Sequence, residues 1–145
     1  MLRDPSLIPL SQQHHNGLAL CVLTERSLAQ DASAGNVAAL ARKAIDRYEL
    51  ELSNHFEIEE QILFPAVESP LIAGLIAEHR QLEAMIDRLR GEPSAALLLE
   101  FTGLLRTHIR REENELFEDI QRQLPREVLD SLGAEIVAKA VRICL

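Results

Sequence analysis

The chain predicts an all-α fold: an up-down-up-down antiparallel four-helix bundle with an additional C-terminal helix. Three observations lead there. Apolar residues recur at steps of three and four, and no segment alternates with period two for long enough to make a strand. Leu, Ala, Glu, Arg and Ile dominate, whereas strand formers are thin. Pro and Gly cut the chain into segments of about 20–28 residues on short loops, and such helices must return antiparallel.

The elements follow from this punctuation. A first helix begins near residues 9–11 and runs to about Gln30, followed by the loop DASAG at 31–35. Asn36 is a good N-cap for a second helix, about 37–64, which Pro65 ends. Pro70 suits the first turn of a third, about 70–90. The turn GEPS ends in Ser94, which caps a fourth helix, about 95–123. Pro125 opens a shorter fifth, about 126–143, amphipathic through Val128, Leu129, Leu132, Ile136, Val137 and Val141. Gly133 weakens its continuity. That helix either covers its own bundle or joins a second copy in a homodimer.

With 145 residues and 47% hydrophobic content, residues 1–145 form one domain, the bundle covering about 10–122. The net charge of −8 speaks against nucleic acid or an anionic membrane as partner. Cys21 and Cys144 make no C-x-x-C and no spaced framework, so reduced thiols in a cytoplasmic protein are expected. The N-terminal stretch lacks the apolar core of a signal peptide, and the longest apolar run, LALCVL, is too short to span a bilayer.

The most informative pattern occurs twice. Residues 55–64 read HFEIEEQILF and residues 108–117 read HIRREENELF, placing His55/Glu59 and His108/Glu112 at i, i+4 on one helix face. Both pairs interrupt apolar stripes: Leu52, His55, Glu59, Ile62 in the second helix and Leu105, His108, Glu112, Leu116 in the fourth. The third helix carries His79 between Leu75 and Leu82, and the first carries the adjacent His14 and His15. Of these two, His15 is favoured for the inward position, because His15/Leu18 matches His79/Leu82; His14 is the alternative.

Carboxylates buried among Leu and Ile cost several kcal/mol unless compensated. No Lys or Arg lies on these stripes to compensate Glu59 and Glu112. Metal cations would do so, and imidazole with carboxylate but no thiolate suits Fe, Mn or Zn. The donors outnumber the needs of one tetrahedral zinc, which favours two metals. Glu83, four after His79, is a further candidate ligand, while Glu60 and Glu113 are expected at the surface or orienting imidazoles. Tyr48 and Cys21 are expected to serve packing. The residues three before His55, His79 and His108 are Leu52, Ile76 and Leu105, so the E-x-x-H ligand pattern of ferritin-like di-iron bundles is absent, as is H-E-x-x-H.

The order H…HxxxE…H…HxxxE over four helices resembles the hemerythrin family, specifically hemerythrin-like HHE cation-binding domains. The resemblance covers about residues 10–122 and rests on HFEIEEQILFP and HIRREENELF. It implies two iron ions (Fe2+/Fe3+), bridged by Glu59 and Glu112 and by an oxo or hydroxo group, with His15, His55, His79 and His108 as terminal ligands. Zinc or manganese are the other metals this donor set accepts. Oxygen-carrying members place a second His four after that of the third helix, where this chain has Glu83. That exchange makes reversible O2 carriage less secure. Three readings follow: a di-iron protein interacting with O2, NO or peroxide, for which peroxide or NO reduction is conceivable chemistry; a module that donates or repairs iron; and a bundle cross-linked by a structural metal.

Overall fold

The structure, a computed structural model, describes residues 2–142. Cys144 and the last residue expected of the fifth helix lie outside that range. Among the described residues the secondary structure is entirely helical. A 3-10 turn, Pro5–Leu7, is capped by the Asp4 side chain and leads into α1, Ile8–Gln30. Helix α2 covers 34–63, as α-helical Ala34–Arg47 and Ser53–Ile58 alternating with π-helical Tyr48–Leu52 and Glu59–Leu63. A 3-10 turn, Phe64–Ala66, ends it at Pro65, as expected. Helix α3 is Ile72–Gly91. Helix α4 covers 95–123, with π-helical Glu112–Leu116 between α-helical Ala95–Arg111 and Phe117–Gln123. Helix α5 is Arg126–Lys139.

The boundaries differ from expectation at three places. Ser33, rather than Asn36, caps α2, its hydroxyl accepting from the Asn36 N–H at 3.3 Å. Helix α3 starts two residues later than Pro70, and α5 stops at Lys139, after which Ala140 is extended. The turn after Lys139 is fixed by Asn54, which donates to the Lys139 carbonyl at 3.0 Å and accepts from the Val141 N–H at 3.0 Å.

Helix α1 packs against α2 and α4, and α3 likewise against α2 and α4. Their apolar faces build two clusters. One holds Leu20, Leu40, Leu52, Phe56, Leu82, Phe101 and Leu105, the other Leu10, Ile58, Leu63, Leu75, Leu116 and Ile120. Each of the four long helices contributes to both, and His14, His55, Glu59, His79, His108 and Glu112 lie at or next to the junction of the two contributions. Helix α5 adds Leu129, Leu132 and Ile136 to the second cluster, against the N-terminal turn. No described helix is long and apolar enough to cross a membrane.

Gly133 does not break α5. It lets the helix approach the N-terminal turn so closely that a Cβ there would lie 3.0 Å from both Cα and Cβ of Ser6. Backbone cannot yield as a flexible side chain can, so Gly133→Leu should destabilise the fold by roughly 1–3 kcal/mol. Denaturant unfolding of the variant should show an earlier midpoint with an unchanged slope.

Candidate metal centre

Six side chains from four helices meet between the two apolar clusters: His14 from α1, His55 and Glu59 from α2, His79 from α3, His108 and Glu112 from α4. None is more than 3 % exposed. Their ligand atoms fall into two groups of four, His14/His55/Glu59/Glu112 and Glu59/His79/His108/Glu112, all atoms of a group within 4.8 Å of one another. Both carboxylates belong to both groups.

Every imidazole turns Nε2 inward. Nε2 lies 2.7 Å from Glu112 in His14 and 3.2 Å from Glu59 in His55. It lies 3.1 Å from Glu59 in His79 and 3.3 Å from Glu112 in His108. Nε2 of His55 and His108 and Oε2 of Glu59 and Glu112 are buried without a hydrogen-bond partner. Four orphaned polar atoms at one point are expensive, since each costs roughly 1–3 kcal/mol unmet. Cations at that point would satisfy all of them, so the donor set fits metal binding.

Each Nδ1–H has its own acceptor on the outer side: Glu113 for His14 at 2.7 Å, Gln13 for His55 at 2.9 Å, Glu60 for His79 at 2.7 Å and Glu78 for His108 at 2.9 Å. Such partners fix ring orientation and the ligating tautomer. The doubled motif does the same work twice. Its second Glu (Glu60, Glu113) takes the Nδ1–H of an imidazole from another helix, His79 of α3 or His14 of α1, and its Phe stacks on that ring. Phe64 lies 6.0 Å from His79 and Phe117 5.3 Å from His14, centroid to centroid, with Phe56 closer still to His79 at 4.0 Å. Both motif copies also turn π-helical at the same residue, Glu59 and Glu112. Such turns recur at functional sites.

The charges are unbalanced without metal. Burial pushes the pKa of His55 down to about 4 and that of His79 to about 3, so both rings are neutral. At His14 burial is outweighed by the Glu112 and Glu113 carboxylates, and the pKa rises to about 9. Burial, reinforced by the charge of Glu112, pushes Glu59 well above the usual carboxylate range. Burial acts on Glu112 too, but the imidazoles of His108, His14 and His55 outweigh it and hold it well below that range.

The structure places five of the expected residues in this cluster: His55, Glu59, His79, His108 and Glu112. For α1 the expectation is corrected. His15 is exposed and His14 is buried, because the buried stripe of α1 runs Leu10, Gln13, His14, Gly17, Leu20, Cys21. The H-x-x-L match misled: the counterpart of Leu82 is Gly17, where a Cβ would already meet Ile109 at 3.0 Å. Glu83 is also corrected. It joins neither group of four but pairs with Arg80 at 3.1 Å, half-buried beside a stripe that continues through Leu82 and Ile86.

Gln13, Glu78 and Glu51 were missed. Gln13 and Glu78 each precede the histidine that their helix sends to the site, so the dipeptides Gln13-His14 and Glu78-His79 carried a readable signal. Glu51 is fully buried one turn before His55, accepts from Asn16 at 2.7 Å and lies 3.7 Å from Arg47. Burial pushes its pKa up.

Fold and site together define an all-helical protein with a buried His/Glu centre built for cations. The sequence matches the family model of the hemerythrin HHE cation binding domain over residues 9–120. The chain belongs to this family. Comparison with curated proteins and with solved structures gives no match.

The charge imbalance predicts opposite behaviour of the two carboxylates in metal-free protein. Glu59→Gln replaces a group that favours neutrality and should leave stability at neutral pH unchanged or raised by about 1 kcal/mol. Glu112→Gln removes the carboxylate that bonds His14 at 2.7 Å and faces His55 and His108, and should cost roughly 1–3 kcal/mol. Thermal unfolding of both variants separates them. The pH profile has a stated sign as well. His55 and His79 take up protons in the unfolded chain near pH 6.5 but not in the folded one, so their contribution to stability falls as pH drops from about 6.5 toward 4. His14 has the reverse sign, its contribution present below 6.5 and lost as pH rises through about 9. Unfolding of metal-free protein across that range tests both limbs.

Proposed function

We propose that the chain is a non-haem di-iron protein of hemerythrin type that binds O2 or a related small molecule (NO, peroxide) for sensing, storage or scavenging. The observation that carries this reading is the pair of four-ligand groups sharing Glu59 and Glu112. Two cations held so close need anionic bridges between them, and these two carboxylates lie in both groups. His14 and His55 would hold one ion and His79 and His108 the other. Bound iron supplies reversible one-electron chemistry toward a small ligand. The protein contributes fixed imidazoles, a site closed to bulk water, and walls of Leu and Phe that admit an uncharged diatomic more readily than an ion. We read the four long helices as an up-down-up-down bundle, supported by the alternating sense in which they run between the two apolar clusters.

A second reading has its own support. Each group offers four donors and Glu83 adds no fifth, which also meets the tetrahedral demand of zinc in a structural site.

Anaerobic titration with Fe(II) should fill two sites per chain, and admission of air should then produce near-ultraviolet and visible charge-transfer bands. Colourless protein holding stoichiometric zinc, with no response to oxygen after iron loading, would favour the second reading instead. Glu59→Ala combined with Glu112→Ala should abolish two-metal binding; full metal content in that variant would overturn the bridging assignment.

A further inference from the structure

The two halves of the centre differ in one outer partner. Nδ1–H of His14, His79 and His108 meets the carboxylates of Glu113, Glu60 and Glu78. An ionised carboxylate has no proton to give, so it selects the Nδ1–H form of its histidine unaided. His55 faces the amide of Gln13, which could turn over and present N–H instead.

What prevents this comes from the far end of the chain. Backbone groups have fixed polarity, and they set the amides one after another. The Lys139 carbonyl can only accept, so the Asn54 nitrogen faces it at 3.0 Å. The Val141 N–H can only donate, so the Asn54 oxygen faces it at 3.0 Å. That oxygen and the Val141 carbonyl both accept from the Gln13 nitrogen, each at 3.1 Å. Both N–H groups of Gln13 are thereby used, and its oxygen is left for His55 at 2.9 Å.

We propose that the segment after α5 is a clasp for the His14/His55 half of the centre: through Asn54 it fixes the polarity of Gln13, and Gln13 selects the form of His55 whose Nε2 is free to bind a cation. Gln13 is a positioning residue, and Asn54 with Val141 gives it direction. The other half is independent of the clasp, because Glu78 is held by Arg111 at 3.1 Å and Glu60 by Arg80. Displacing residues 140–142 would weaken one metal position and spare its neighbour.

The test uses three chains: the full one, one lacking residues 140–145, and that shortened chain carrying Gln13→Glu. Long-range proton–nitrogen NMR on metal-free protein reads the tautomer of each imidazole. His55 should be Nδ1–H in the full chain, mixed in the shortened chain, and Nδ1–H again with Gln13→Glu, since a carboxylate needs no clasp. His108 should not change in any of them. Loss of His55 selectivity that Gln13→Glu fails to restore, or an equal change at His108, would show that the segment acts by general packing and would overturn the clasp. So would an unchanged His55 in the shortened chain. A second arm rests on the metal reading above: under anaerobic Fe(II) titration the shortened chain should hold its second ion about tenfold more weakly, and Gln13→Glu should recover it. If the full chain takes up no iron pair, the metal reading fails while the tautomer measurement still decides the clasp.

Discussion

Everything in this structure answers to two carboxylates, Glu59 and Glu112, that are fully buried with no lysine or arginine beside them. Taking such charges from water costs several kcal/mol each even after relaxation. Four imidazoles offset the cost in part, and the distribution of protons shows how incompletely: one carboxylate is driven toward its neutral form while the other is held ionised by the rings around it. The apolar clusters above and below supply the folding energy that carries this layer, and α5 thickens one of them. A centre of this kind is a poor packing solution and a good cation site.

Each repeated position of the doubled motif has its own task in the site. The His and the first Glu point inward, the second Glu orients an imidazole from another helix, the Leu fills the apolar cluster, and the Phe stacks on the ring that the second Glu orients. The relation runs in a ring, because the residue before each non-motif histidine orients the motif histidine of the next helix, Gln13 that of α2 and Glu78 that of α4. Each of the four helices therefore orients a histidine of another, and none holds a finished set alone.

The helical class, the five elements, and the His55/Glu59 and His108/Glu112 pairs were legible because they rest on periodicity, and burial in a helix is periodic. The register of α1 was not. His14 and His15 are one residue apart, or about 100° around the helix, and tertiary contacts, such as Gly17 against Ile109 and His14 against Phe117, decide between them. Glu83 shares the spacing of the real pairs but has Arg80 within reach, and a one-dimensional pattern does not weigh that competition. Gln13 was overlooked because its partners lie in α2 and beyond α5, far away in sequence. The π-helical turns left no periodic trace, since each is one extra residue in an otherwise continuous stripe.

Those turns have a consequence for how the protein can change. A π turn closes its hydrogen bond around one residue more than an α turn does. Removing a single residue from Glu59–Leu63 or Glu112–Leu116 would thus leave a more regular helix, with ordinary bonds throughout. Because a π turn absorbs its extra residue locally, the helix beyond it would keep its face, and Phe64 or Phe117 would stay on its imidazole. The sequence is held one residue longer than its helices need. A shortened relative would fold at least as readily, without the wide turn at which two consecutive carboxylates, Glu59 and Glu60 or Glu112 and Glu113, meet the two nitrogens of one imidazole.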